Sequence, residues 1–401
     1  MRIFYITMRF PAASETFASS DIHEVVLNGH EVSVYCMRST APDFKKLVKE
    51  RNLEKIPIDS LDMGNLLSGL KLLVVHPVMF FSLLFWCFKN SWSNPTHFFK
   101  SIALIPRSFY IFFKIRDYKP DVVHLFWGHY PSIVGYLVRR YLPNLCLSIF
   151  LGAYDLTTNY KCSWDLAKKS HIVWTHSYYN LELLKKMGVS VEKVNVVHRG
   201  IDLESVYEIQ KNMDPFKIIT AGRLVRGKEF EFLLRLFSCL AKKRPEFSLV
   251  ILGDGPERKN LEKLSVSLGI RKKVKFLGHV KHQEVFKQMS KGHLFLFFSS
   301  NPSERLPNVI KEAMACGCIC ITNSTPGIEE LISDGFNGFI VEKDITEVLK
   351  KIDQIYDDQK MASIVAGNAI KTIQSRFNRK IQMKKYCDIW HACVVGRRVT
   401  F

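Results

Sequence analysis

Two glutamates, Glu304 and Glu312, offer the clearest chemistry in this chain. They lie in the run Ser303-Glu304-Arg305-Leu306-Pro307-Asn308-Val309-Ile310-Lys311-Glu312-Ala313-Met314-Ala315-Cys316-Gly317. Each carboxylate carries two acceptor oxygens, suited to the vicinal hydroxyls of a ribose or a hexose. Pro307 fits the first turn of a helix, where its missing N–H costs nothing, and Gly317 fits the position just past the end. The run therefore enters a helix N-terminus from the carboxyl end of an apolar strand at Leu294–Phe298. Free N–H groups and the positive end of the helix dipole suit phosphate there.

A second signal is Ala221-Gly222-Arg223-Leu224-Val225-Arg226-Gly227-Lys228, directly after another apolar strand. Arg223 and Lys228 flank the loop and bring two positive charges toward a diphosphate. The spacing is also that of a phosphate-loop ATPase, but that motif needs Ser or Thr after the lysine to hold magnesium, and Glu229 follows here. Its carboxylate is expected to repel the phosphates. Gly253-Asp254-Gly255-Pro256 makes a tight turn after the next strand, where glycine lets a ligand approach the backbone or simply closes the turn. Gly278-His279-Val280 ends the third strand at the same face and offers backbone groups to a nucleotide base. Four signals at successive strand ends point to a sugar-nucleotide site within residues 206–377.

These loops need a doubly wound α/β domain to position them. Strands are predicted at Phe216–Ala221, Ser248–Leu252, Val274–Leu277, Leu294–Phe298, Ile319–Thr322 and Gly338–Val341. Helical patterns lie between them at about 229–243, 257–268, 282–290, 307–316, 326–333 and 345–358. Ligands in such sheets bind at the carboxyl ends of the strands. An earlier alternation begins with a strand at Arg2–Thr7, a loop at 11–16, a helix ended by Gly29 and a strand at Glu31–Cys36. It continues with strands at Asp121–Phe126, Leu147–Phe150, Ile172–Thr175 and Val194–His198. A length of 401 residues suits two domains. The polar stretch around Glu204–Pro215 is the expected linker, dividing 1–205 from 206–377.

The composition is globular, with 47% apolar and 24% charged residues, and the formal net charge is +19. Residues 1–200 hold 24 basic against 15 acidic side chains, so the excess is spread rather than held in a tail. It favours anionic partners. Nucleic acid is not expected, because no recognised module is present and the lysines are not clustered on one stretch. Ten cysteines at irregular spacings, and an N-terminus that passes straight into a strand pattern, are expected of a cytoplasmic protein with reduced thiols. Cys316, Cys318 and Cys320 lack a partner pair at metal-binding spacing, and alternate strand residues cannot surround one ion.

Residues 66–119 differ from the rest. They are crowded with Leu, Phe, Trp and Val, and carry seven basic residues against Asp117 alone. The longest apolar run, Leu72–Phe88, is at the lower edge of spanning length and contains Pro77. Two readings stand: core helices of the first domain, or a surface resting on an anionic leaflet.

The order Gly-Arg-Leu…Gly-Lys, Gly-Asp-Gly-Pro, Gly-His-Val and Glu304-x7-Glu312 resembles the retaining glycosyltransferases of family 4. Phe10-Pro11…Ser14-Glu15-Thr16-Phe17, Gly29-His30-Glu31-Val32 and Val197-His198-Arg199-Gly200-Ile201-Asp202 resemble members that build bacterial surface polysaccharides. The resemblance implies an α/β GT-B fold, two Rossmann-like doubly wound domains facing across a cleft. It also implies a final helix, about 378–401, that returns to the N-terminal domain. By position, Arg223 and Lys228 hold the donor diphosphate, Glu304 contacts the donor sugar and Glu312 binds the ribose hydroxyls. The backbone of Leu306, Pro307, Asn308 and Val309 meets the phosphates, with Gly278, His279, Val280, Gly253 and Asp254 completing the donor side. The loop with Ser14 and Glu15 borders the acceptor. No metal and no other cofactor is implied, and no Asp-x-Asp pair stands at a strand end.

Two positions depart from the family pattern. Many relatives have Phe-His-Gly-x-Asp, with the histidine touching the donor sugar; here Phe150-Leu151-Gly152-Ala153-Tyr154-Asp155 places leucine at that position. His129 is the nearest replacement by sequence, and Asp155 either meets the acceptor, orients a loop or caps a helix. Arg305 stands where relatives place glycine. The expected activity is retaining transfer of a sugar from a nucleoside-diphosphate donor to a hydroxyl of a lipid-linked glycan, in the cytoplasm at the inner face of the membrane. A non-catalytic sugar-nucleotide or glycan-binding subunit, or a sugar-nucleotide epimerase of the same fold, is the alternative.

Overall fold

The computed structural model describes residues 1–12, 15–204, 206, 216–302 and 304–398. Ser14, Ser303 and most of the expected linker lie outside the described residues. The chain divides into two compact units, Met1–His198 with Lys380–Phe401, and Arg199–Arg379.

The first unit is built on seven strands: β1 (Arg2–Thr7), β2 (Glu31–Cys36), β3 (Ile58–Asp59), β4 (Val122–Leu125), β5 (Cys146–Phe150), β6 (Ile172–Thr175) and β7 (Val194–Val196). All pair in parallel, in the order β3-β2-β1-β4-β5-β6-β7. β4, β5 and β6 are buried at every residue, which is why they read as mostly apolar runs rather than alternations, interrupted by His124 and Ser148. The helices are α1 (Thr16–Leu27), α2 (Phe44–Glu50), α3 (Met63–Val75), α4 (Pro77–Ser91), α5 (Pro95–Tyr118), α6 (Ser132–Tyr141), α7 (Ala153–Thr157), α8 (Lys161–Lys169) and α9 (Tyr179–Lys186).

The apolar segment 66–119 is thus three helices. Leu72–Phe88 is broken at His76–Pro77, and α3 and α4 meet there at 102°. No single helix among the described residues is long and apolar enough to cross a membrane. Gly69 lets α3 lie against α5, since a Cβ there would meet the Pro106 carbonyl oxygen at 2.1 Å. Trp86 anchors α4 by donating to Asp165 on α8 at 2.7 Å. Arg107, counted with the basic residues of this segment, is fully buried. It donates to the backbone oxygens of Cys36 and Asp59 and pairs with the Asp59 carboxylate.

The second unit has six parallel strands: β8 (Lys217–Ala221), β9 (Ser248–Leu252), β10 (Val274–Gly278), β11 (Leu294–Phe297), β12 (Ile319–Thr322) and β13 (Phe339–Ile340). Their order is β10-β9-β8-β11-β12-β13. The helices are α10 (Phe230–Lys243), α11 (Arg258–Ser267), α12 (His282–Ser290), α13 (Asn308–Ala315), α14 (Ile345–Asp357) and α15 (Gln359–Arg376). The helix expected at 326–333 is a single 3-10 turn, Ile328–Glu330. Gly327 precedes it at φ 81°, and Ile328, Leu331 and Ile332 all turn into the core.

The last helix, α16 (Arg379–Arg398), packs Met383, Tyr386 and Trp390 into the apolar cluster of the first unit. The Ser148 hydroxyl receives Trp174 Nε1 at 2.6 Å and Trp390 Nε1 at 2.9 Å and lies 3.0 Å from His124 Nδ1. Two lone pairs and one proton are all used. Burial holds His124 neutral, with its pKa pushed down to about 3.

Candidate active site

In both sheets the strand order reverses beside a central strand, between β1 and β4 in the first unit and between β8 and β11 in the second. Ligand crevices of open α/β sheets open at such points, outside the carboxyl strand ends. In the second unit the two flanking loops are those that carry Arg223 with Lys228 and Glu304 with Leu306.

The structure brings these loops together. Ser300 N–H and the Ser299 hydroxyl both donate to the Gly227 carbonyl, at 3.0 and 3.1 Å. Asn323, at the end of β12, braces the same loop by accepting from Ser299 N–H and donating to Ser299 O. Lys228 Nζ makes a short ion pair with Glu304 and lies 4.8 Å from the centre of the Phe297 ring. Both partners are mostly shielded from water, so the pair interacts more strongly than one on the open surface. Arg223 is exposed and makes no ion pair among the described residues. Glu229 is engaged by neighbouring side chains. Its backbone is left-handed (φ 48°), its side chain accepts from Lys343 at 3.1 Å, and hydrogen bonding to Ser300 and then to Lys343 holds its pKa below the usual carboxylate range.

Pro307 sits at the cap position just before α13 rather than in its first turn. Leu306 before it has φ 46°, an unfavourable region for a side chain with a Cβ, and is buried in the core. Its side chain therefore anchors the loop, and only its backbone is left to meet a ligand. Arg305 is not solvent-facing: it is 9% exposed. Along α13, Glu312 accepts from His282 Nε2 of α12 at 2.9 Å, a pairing that no spacing in the sequence signals. Lys311, also unanticipated, is buried and donates to Arg199 O and Asn308 Oδ1 at 2.9 and 3.1 Å.

Gly253 and Gly255 have a packing reason. A Cβ at Gly253 would meet the Gly222 carbonyl oxygen at 1.9 Å, and one at Gly255 the Leu224 oxygen at 2.3 Å. This turn therefore supports the Arg223 loop from behind. Asp254 bonds its own turn at Gly255 N–H and pairs with Arg258 at 2.8 Å. Gly278 joins the same brace, its carbonyl accepting from Gly253 N–H at 2.9 Å. His279 is exposed, and Val280 packs against the core.

The switch point of the first unit is lined differently. Trp127, after β4, donates to Glu15 Oε2 at 3.3 Å across the gap to the β1 loop. Asp155, expected on the acceptor side, is fully buried. Its Oδ1 accepts from both the backbone N–H and Nδ1 of His129 at 3.0 Å, and its Oδ2 from Gly152 N–H at 2.9 Å. A carboxylate at Nδ1 puts the proton there and leaves Nε2 of the part-exposed ring as the acceptor. Leu151 does not reach a site. It is fully buried, and it fits only because position 128 is glycine: a Cβ there would stand 2.1 Å from the Leu151 side chain.

Among the described residues, no three His, Cys, Asp or Glu side chains converge as a metal site, and none of the ten cysteines forms a disulfide.

Residues 204–372 match the family described as glycosyl transferases group 1. A Haemophilus influenzae protein named as an uncharacterized glycosyltransferase is 32% identical over 245 residues, 60% of this chain and 62% of its own length. The Campylobacter jejuni N-acetylgalactosamine-N,N'-diacetylbacillosaminyl-diphospho-undecaprenol 4-alpha-N-acetylgalactosaminyltransferase is 29% identical over 222 residues, 53% of this chain and 58% of that one. The chain thus spans less than two thirds of the length of these relatives. Among solved structures, Anabaena HepE in complex with UDP superposes with a TM-score of 0.73 at 19% identity, covering 98% of this chain and 100% of HepE. The chain has the GT-B fold of two Rossmann-like domains, and its residues 204–372 are similar to the group 1 glycosyl transferases.

Proposed function

We propose that the chain is a retaining glycosyltransferase of family 4. It moves a sugar from a nucleoside-diphosphate donor to a hydroxyl of a lipid-linked glycan, in cytoplasmic assembly of a surface polysaccharide. The observation that carries this reading is the Lys228–Glu304 pair at the switch point of the second unit, between two loops locked to each other at Gly227. A diphosphate settling at the N-terminus of α13 takes up the Lys228 ammonium and the exposed Arg223 guanidinium. Glu304, released from Lys228, is then free to accept from a sugar hydroxyl, and Glu312 from the ribose.

In the transfer the bond from the sugar's anomeric carbon to the donor phosphate oxygen breaks. The acceptor oxygen bonds to that carbon on the same face, and its proton passes to the departing phosphate. Lys228 and Arg223 stabilise the negative charge that develops on the leaving diphosphate, which requires no bound metal. In the first unit His129, its Nδ1 fixed by Asp155, offers Nε2 to a sugar hydroxyl. The undecaprenol-linked acceptor in the Campylobacter relative's name supports a polyprenyl-diphosphate acceptor, and the UDP held by HepE makes uridine nucleotides the first donors to test.

Thermal shift with UDP-, GDP- and ADP-sugars tests the donor site: one nucleotide class is expected to raise Tm, and silence from all of them removes the reading. The anomeric configuration of the product, read by NMR, then separates retention from inversion. Donor binding without any transfer or hydrolysis would instead favour a sugar-nucleotide-binding subunit.

A further inference from the structure

The apolar faces of α3 and α4 are not all spent on the core. On α3, Leu67, Leu70 and Val74 recur at helical spacing and stand exposed, Val74 at 81%. On α4, Val78, Phe81, Phe85, Phe88 and Trp92 continue the same three-and-four rhythm, with Val78 at 79% and Phe85 at 67% exposure. The opposite side of α4 is occupied, since Leu83, Trp86 and Cys87 are buried in the core of the first unit. Scattered exposed apolar side chains are ordinary in a folded protein; two adjoining helices each exposing such a stripe are not.

The charge within these helices has one sign. From Met63 to Arg116 there is no Asp or Glu, while Lys71, Lys89 and Lys100 are exposed. Further along α5, Arg107 is sequestered by Asp59. Trp92 ends the apolar stretch at the polar run Ser93-Asn94-Pro95-Thr96, a placement suited to the boundary between acyl chains and water.

We propose that α3 and α4 form a docking surface that lies in the interface of an anionic lipid bilayer. The exposed leucines, valines and phenylalanines enter the acyl boundary, and Lys71, Lys89 and Lys100 meet the lipid phosphates. The helices lie in the leaflet and do not cross it. At 15 residues α4 is roughly 22 Å long against a hydrocarbon core of about 30 Å, and the 102° bend prevents α3 from extending it. A second copy of the chain is the poorer occupant, because a twofold interface on this face would set lysines of like charge against each other. The inference stands on exposure and charge, independently of the donor site.

Flotation of the full-length protein with phosphatidylcholine vesicles, with and without phosphatidylglycerol, tests it. Wild type is expected to float with the anionic vesicles and at least about tenfold less with the neutral ones, each lysine contributing roughly fivefold at low salt. The double variants Phe81→Ser/Phe85→Ser on α4 and Leu70→Ser/Val74→Ser on α3 are each expected to lower binding about tenfold or more. Their positions are exposed, so the circular dichroism melts should match wild type. Wild type left unbound by anionic vesicles, or variants floating as wild type does, would overturn the proposal. So would a wild-type dimer, seen by sedimentation, that Phe81→Ser/Phe85→Ser dissociates, or a soluble protein held on this face in preference to vesicles. Nucleotide-sugar thermal shifts on the same samples separate this outcome from failure of the donor site.

Discussion

The two units share a plan and use it differently. Each is a parallel sheet whose strand order reverses beside a central strand, and each gathers its chemical side chains in the loops and helices that follow its strands. In the second unit these segments carry accessible or half-shielded charge: Arg223 exposed, Lys228 against Glu304, and Glu312 against His282. In the first unit the charge is inside. Asp155 is fully buried, satisfied by three N–H groups, and reaches the surface only through His129. Charge in the second unit can therefore be exchanged with a ligand, whereas in the first it holds a shape.

Substitutions should break the units in different ways. Lys228→Ala should lower kcat about 100- to 1,000-fold with little change in melting temperature, as removing one preorganised donor to a leaving charge does. A matching loss of stability, or no loss of rate in a sugar-transfer assay, would contradict the contrast. Asp155→Ala should do the reverse at the level of the fold, costing roughly 2–4 kcal/mol in urea unfolding because it strands buried N–H groups. His129→Gln should cost far less stability than that while still affecting transfer. Leu151→His, which restores the residue common in relatives, should destabilise by about 2 kcal/mol and fail to improve donor turnover, since the side chain points into the core. Glu312→Ala should weaken nucleotide affinity about tenfold by calorimetry, roughly 1.4 kcal/mol. His282→Ala should weaken it by less.

A separate effect is a pH dependence lodged in the first unit. Burial lowers the folded pKa of His124 to about 3 from an ordinary value of 6.5. Between those values the unfolded chain binds a proton that the folded chain does not. His124 thus removes stability as pH falls through that window, by at most about 1.4 kcal/mol per pH unit. His124→Phe should flatten the dependence of urea midpoint on pH between 6 and about 4; an unchanged slope would assign it to other groups.

The sheets were legible in the sequence for a physical reason. Strands buried on both faces are mostly apolar, and the glycines that end them, such as Gly222, Gly253 and Gly278, have positive φ. The donor loops were legible because their residues are neighbours in sequence. Partnerships that depend on the tertiary fold were not: His129 and Asp155 are 26 residues apart, and Glu229 and Lys343 are 114 apart. Likewise the meaning of Gly128 appears only once Leu151 is seen filling the space a Cβ would take.

The hydroxyl of Ser148 has a consequence for how the protein is made. It is one of the earlier residues to leave the ribosome, yet one of its three partners, Trp390, is 242 residues further along, beyond the whole second unit. A nascent first unit must wait with a water-exposed groove where Tyr386 and Trp390 will later stack, and with a serine whose bonding is incomplete. Although translated before the second unit, the first unit is completed only after it. Loss of the final helix should therefore be felt at the amino-terminal end of the chain, leaving the domain at its centre comparatively intact.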